Sequence, residues 1–270
     1  MTSIASWQSR LTRAGRAAQQ WLTEWWRLVH LGALILVLTL SPSSYSRESR
    51  AVLARHIYLN TAPILLGFTV LCALVTVVLT RIVLVTALSY GLSQYALQVV
   101  IRVLVLELIP LTAALFVALR CTIPDGAELT AMQASGQLDE MRRRGVEPVR
   151  REVLPRVVAG MFSGITLAAL SSVVALVVAY VAVYGFTVSG LAAYTRLFGQ
   201  VFSPAVTLIF VLKTLFFSLA VSLIPMASAL YGLPGMHGAS VRTSAEMRGL
   251  VRMFAVILLI EVASLVGNYY

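Results

Sequence analysis

The sequence predicts an all-α integral membrane protein, in which an N-terminal interfacial amphipathic helix precedes about five transmembrane helices and the N-terminus is cytoplasmic. Three observations carry this. Only 12% of the 270 residues are charged, about half the share of an ordinary soluble domain, and mean hydropathy is +0.87. The apolar residues gather into long runs. The basic residues fall in alternate segments between those runs. A formal charge of +10 would also suit a nucleic-acid binder, but such proteins spread Lys and Arg over exposed faces interleaved with aromatics.

Residues 4–29 place Ile4, Trp7, Leu11, Ala14, Ala18, Trp21, Leu22, Trp25 and Leu28 on one helical face, with Arg13, Arg16, Gln19, Gln20, Glu24 and Arg27 opposite. All four tryptophans lie within the first 26 residues, and indole prefers the headgroup layer, so this helix lies in the interface. A signal peptide would need a short basic leader, whereas 30 amphipathic residues precede the run "LGALILVLTL". That run is too short to span alone, since a crossing takes about 20 residues. Residues 57–80 form the first crossing and residues 97–119 the second, with a turn at "SYGLSQY". Residues 157–185, 204–230 and 253–270 supply the other three.

Lys and Arg accumulate in short cytoplasmic segments. Seven arginines precede residue 56, seven more lie within 120–156, and Arg242, Arg248 and Arg252 follow the fourth crossing. The opposite side has Arg196 alone, in the loop 186–203. The N-terminus is therefore expected inside and the C-terminus outside. Residues 120–156 then form the largest cytoplasmic loop. Helix formers dominate it, and Gly136 and the pair Gly145 and Pro148 should divide it into two short helical pieces, because Gly is costly in a helix and Pro removes a donor. The charges alone leave two readings open, a docking site for a cytoplasmic partner or a purely topogenic loop.

Several chemistries are disfavoured. With 20 Arg and one Lys the chain has no Walker-type loop. Cys72 and Cys121 lack framework spacing and a His cluster for a metal, and His30, His56 and His237 lie far apart. No catalytic or metal-binding set emerges. The intramembrane charges stand out instead, because a charge at mid-membrane costs about 2.5–3.5 kcal/mol and persists only with a partner or water. Lys213 and Glu261 fall near mid-depth of the last two crossings, so Lys213 should pair with Glu261, or otherwise with Glu107. Arg102 should snorkel to the outer interface. The cluster would either border a transport pathway or serve as a structural ion pair.

The segments "ELIPLTAALFVALR", "GAELTAMQASGQLDEMRRRGVEPVRREVLPRVVAG", "LKTLFFSLAVSLI" and "LYGLPGMHGASVRTSAEMR" follow one another as in the MlaE (YrbE) permease family of ABC transporters, which the chain resembles over about residues 45–265. The match includes Glu107, Pro110, Arg120, Glu128, Gly145, Pro148, Pro155 and Arg156, and Lys213 and Glu261 fall where the family has a lysine and an aspartate. The chain departs from the pattern at Leu106, at Ile109, and in "ALRCTIPDG", which brings in Pro124 and Asp125.

After the interfacial amphipathic helix and short apolar segment read over residues 1–45, the resemblance implies a permease domain over 46–270 with a cytoplasmic coupling loop over 120–156. It implies the homodimeric membrane subunit of an ATP-driven complex in the bacterial inner membrane that moves phospholipids or related lipids between membranes. The expected partners are a cytoplasmic ABC ATPase, which would carry the ATP and Mg, an Mce-domain protein outside, and in some systems a STAS-domain protein. Glu107, Lys213 and Glu261 would border the lipid pathway, and Arg120, Glu128, Arg142, Arg143, Arg144, Pro148 and Arg156 would couple to the ATPase. A proton-coupled secondary transporter using Glu107 and Glu261, and a non-transporting scaffold, are the competing readings.

Overall fold

Among the described residues ten α-helices follow one another: α1 (Thr2–Leu40), α2 (Arg47–Ser89), α3 (Ser93–Val100), α4 (Ile109–Val117), α5 (Ile123–Ala134), α6 (Gln137–Arg143), α7 (Leu154–Tyr184), α8 (Leu191–Val201), α9 (Pro204–Tyr231) and α10 (Ala239–Tyr269). The structure is a computed structural model that describes residues 2–41, 47–91, 93–231 and 239–269; side chains are described at Gln19 and from Leu22 on, except at 42–49, 92–94, 232–246, 269 and 270. Three π-helical segments, Ile101–Leu108, Ala118–Thr122 and Val149–Val153, link neighbouring helices. The described residues contain no strand.

Among the described residues, six helices are long and apolar enough to cross a membrane, against the five expected. The additional one is Leu22–Leu40. Judged alone, the run from Leu31 is too short, but α1 is unbroken and the apolar residues of its preceding turns extend it. The buried side chains Leu31 and Ile35 join a cluster with Leu129 of α5, Leu138 of α6, Val153, Leu154 and Val157 at the start of α7, and Leu230 at the end of α9. This stretch therefore packs against the loop end of the bundle. The side chains of residues 2–18, on which most of the expected amphipathic stripe falls, lie outside the described residues.

The bundle is built by α2 packing along α7, α7 along α9, and α9 along α10. Small residues allow the close approach. A Cβ on Gly160 would lie 2.6 Å from Ser222 Oγ, and one on Gly164 2.6 Å from Ser218 Oγ, so α7 and α9 meet nearly backbone to backbone. The main core cluster includes Phe68 of α2, Ala113 and Val117 of α4, Leu167 of α7, Phe217 of α9 and Ile257 of α10.

The second crossing does not stop at the loop. From Tyr95 to Ala134 the chain is one continuous helix of 40 residues, about 60 Å long, because the π-helical segments join α3, α4 and α5 without a break. The first half of the expected loop is thus the end of a membrane helix. Breaks come where the sequence places them: Gly136 adopts φ +75° and Gly145 φ +76°, a left-handed conformation that glycine adopts without steric cost. Between them α6 turns back, and the chain re-enters the bundle through Pro148 and the segment Val149–Val153 into α7.

Candidate functional site

Two polar assemblies sit on the continuous helix, one inside the bundle and one at its loop end. The inner one forms around Lys213, which is only 2% exposed. An ammonium so deeply placed needs acceptors on every side. Lys213 Nζ hydrogen-bonds Glu107 Oε2, donates to the Leu106 carbonyl at 3.2 Å, and lies 2.8 Å from Glu261 Oε2. The structure therefore brings together all three intramembrane charges: Lys213 engages both carboxylates rather than choosing one. The Glu261 contact is an ion pair without hydrogen-bond alignment, since Oε2 has no hydrogen-bond partner among the described residues. Asn268 Nδ2 completes the group by donating to Glu107 Oε1 at 3.3 Å.

Local sequence explains why a backbone carbonyl is available. Pro110, which has no N–H, lies just past the π-helical segment and leaves the ladder there one donor short, and Lys213 takes up the Leu106 carbonyl. Position along the helices explains the meeting. Lys213 is the tenth residue of α9 and Glu261 lies eight residues before Tyr269, the end of α10. At about 1.5 Å per residue both are about 12–14 Å from the same end of the bundle. The cluster of Lys213, Glu107 and Glu261 carries a net charge of −1. Arg102 is half-buried, and its Nε is buried without a hydrogen-bond partner among the described residues.

The second assembly centres on Arg156, 4% exposed at the start of α7. Arg156 Nη1 donates to Glu152 Oε2 at 2.8 Å and to the Glu152 carbonyl at 3.2 Å. Its Nη2 lies 3.4 Å from Glu128 Oε1 on α5. Asn60 Nδ2 of α2 donates to Asp125 Oδ2 of α5 at 3.3 Å, and the Asn60 carbonyl accepts from Ser163 Oγ of α7 at 3.0 Å. Three helices are thereby tied together where the loop leaves the bundle.

The remaining loop residues are placed differently. Arg142 pairs with Asp139 at 2.8 Å and Arg144 with Glu140 at 2.9 Å, all on the exposed face of α6. Arg143 and Arg120 are exposed and Pro148 is buried. The loop's candidates thus separate into the buried anchor Arg156 with its partner Glu128, and an outward display on α6.

Sequence reasoning missed Asn268, Asn60 and Asp125. Asn268 had one usable signal: it lies seven residues after Glu261, two turns along the same helical face. Asn60 and Asp125 lie far apart in sequence and had none. Among the described residues no group of His, Cys, Asp or Glu could hold a metal ion, and Cys72 and Cys121 are buried free thiols.

The chain is 26% identical over 163 residues to a probable ABC transporter permease protein of Rickettsia prowazekii (strain Madrid E), covering 58% of this chain and 62% of that relative. The chain thus spans about three fifths of that relative's length. The family model Permease MlaE matches residues 53–266, an interval that contains the whole continuous helix and both polar assemblies except Asn268. This chain belongs to the MlaE permease family.

Proposed function

We propose that this chain is the membrane permease subunit of an ABC-type complex that moves phospholipids or related lipids between bacterial membranes, with α1 at the cytoplasmic face of the inner membrane. The observation that carries the reading is mechanical. One continuous helix holds Glu107 in the buried cluster and Glu128 at the loop end, 21 residues or about 32 Å apart. A push on α5 is transmitted along that rod to the cluster, while Arg156 passes it to α7. A cytoplasmic ABC ATPase would supply the push, binding ATP and Mg on its own subunit, and the α6 display of Arg142, Arg143 and Arg144 would fix its orientation through charge-assisted contacts. A second copy of this chain, an outer Mce-domain protein and a STAS-domain protein complete the proposed assembly.

The test is reconstitution of the full chain with its ATPase in vesicles holding a fluorescent phospholipid. ATP-dependent lipid movement is expected. Glu128→Arg should lower both transport and transport-linked ATP hydrolysis while leaving assembly intact, because Glu128 is 63% exposed, an exposed ion pair contributes about 0–1 kcal/mol, and Arg156 keeps Glu152. Full transport in vesicles that contain only this chain, or unchanged coupling after replacing residues 127–141 with a Gly and Ser linker, would overturn the reading.

A further inference from the structure

The buried cluster holds more acceptors than its own donors use. Ser264 Oγ and Asn268 Oδ1 are buried and have no hydrogen-bond partner among the described residues, and Glu261 Oε2 beside them has only its ion pair with Lys213. They occupy positions i, i+3 and i+7 of α10, which share one helical face. Both ends of that row are fixed by contact, Glu261 to Lys213 and Asn268 to Glu107. Ser264, 7% exposed, therefore faces the cluster between them. Folded proteins leave few buried polar atoms unpaired. Two such acceptors in a row with a carboxylate form a receptor for a cation that can donate several hydrogen bonds.

The helix across from α10 supplies the opposite half. Arg102 lies five residues before Glu107 in the π-helical segment Ile101–Leu108. A π-helix winds at about 4.4 residues per turn, which brings residues five apart to within about 50° of each other around the axis, against about 140° in an α-helix. The wider winding turns Arg102 toward the side of Glu107, about one turn or about 5 Å along the axis. Its Nε is a buried donor without a partner among the described residues. Counting Arg102, two cations and two carboxylates balance. The balanced set leaves one spare donor, Arg102 Nε, and two spare acceptors, Ser264 Oγ and Asn268 Oδ1.

Resting on the lipid-transport reading above, we propose that this site selects a zwitterionic phospholipid carrying a primary ammonium, the phosphoethanolamine class. Its ammonium N–H groups would donate to Glu261 Oε2, Ser264 Oγ and Asn268 Oδ1, and its phosphate would accept from Arg102. The O–C–C–N linker between the two groups spans about one helical turn. A choline headgroup has the same charge but no N–H to donate, and a glycerol headgroup has no cation at all.

The experiment measures retention of lipid by the full-length protein in native mass spectrometry, using phosphatidylethanolamine, phosphatidylcholine and phosphatidylglycerol of identical acyl chains. The unmodified protein should retain phosphatidylethanolamine at least about tenfold better than phosphatidylcholine, the discrimination that one charge-assisted hydrogen bond provides. Ser264→Ala should narrow that ratio without weakening phosphatidylcholine, whereas Arg102→Gln should weaken all three lipids and leave the ratio between the first two unchanged. Soluble glycerophosphoethanolamine should fail to compete at equal concentration, and competition by it would overturn a lipid as the ligand. Equal retention of all three lipids would refute the headgroup selection and leave lipid transport standing. No retention of any phospholipid would refute the transport reading itself.

Discussion

Replacing Lys213 with Met tests whether the buried cluster is held by charge balance. The side chains have similar length, so packing against Phe217, whose ring centroid lies 5.6 Å from Nζ, is largely kept. What disappears is the cation between Glu107 and Glu261. Breaking a buried ion pair by removing one partner costs about 3–5 kcal/mol, and orphaning the Leu106 carbonyl adds about 1–3 kcal/mol. A loss of about 4 kcal/mol or more is therefore expected. The cluster's charge falls from −1 to −2 in the single variant, returns to −1 when either Glu261→Leu or Glu107→Gln is added, and reaches zero in the triple variant. Stability, followed by denaturant titration of the purified protein in detergent micelles, should recover in that order. The coupling of Lys213 to each carboxylate should exceed about 1.5 kcal/mol, within the range for contacting residues. Strict additivity with both carboxylates, or a single variant as stable as the triple, would refute the account. Transport separates structure from function: the triple variant should assemble yet move lipid poorly, and a triple variant with normal transport would reduce the cluster to a helix clamp.

Three further outcomes are expected. Thr122→Val removes the donor that reaches the Val221 carbonyl at 2.7 Å and should cost about 1–2 kcal/mol, but much less in a Pro225→Ala background, where residue 225 regains an N–H for the same carbonyl; equal losses in both backgrounds, read from melting curves, would reject this. Gly160→Ala should destabilise by about 1–3 kcal/mol through overpacking, since its Cβ would meet Ser222 Oγ at 2.6 Å and Thr122 Cγ2 at 2.8 Å, and Ser222→Gly should recover part of the loss; a neutral Gly160→Ala would show that α7 and α9 part easily. Arg16→Cys and Gln20→Cys should label with an impermeant thiol reagent from the cytoplasmic side against a low background, because Cys72 and Cys121 are buried; labelling only from outside would reverse the assigned orientation.

How far the sequence could be read depended on what each residue costs when misplaced. Lys213, Glu107 and Glu261 were legible because a charge in a hydrocarbon layer demands a partner, and Gly136 and Gly145 because a helix rarely runs through a glycine-rich turn. Ser264 and Asn268 were not, since neutral polar residues are tolerated in membrane helices and announce no partner. Leu22–Leu40 is long and apolar enough to cross a membrane, yet Leu31 and Ile35 pack on the loop end of the bundle, a placement that composition alone does not reveal. Arg156 could not be told from Arg142, Arg143 and Arg144 by composition. Only the return of the chain into α7 buries it while leaving the others on α6 in the open.

The prolines show why the rest needed three dimensions. A proline in a helix frees a carbonyl about one turn earlier, and in a membrane that carbonyl cannot turn to water, so another helix must supply its donor. Pro110 leaves the turn before it one donor short, and the Leu106 carbonyl of that turn takes Lys213 of α9. Pro225 frees Val221, which takes Thr122 from the segment that leads into α5. Pro63 disturbs the turn before it, and the Asn60 carbonyl three residues earlier accepts from Ser163 of α7 and, at 3.4 Å, from Cys121 Sγ. In each case a local defect in one helix becomes a polar socket for another, and two of the three sockets accept from the one segment Ala118–Thr122 that follows α4. The continuous helix from Tyr95 to Ala134 is therefore pinned to α2 and α9 by directional bonds as well as by apolar contact. Directional bonds of this kind fix position along a helix, which apolar contact alone does poorly, so a displacement of α5 must be carried inward rather than lost by slippage.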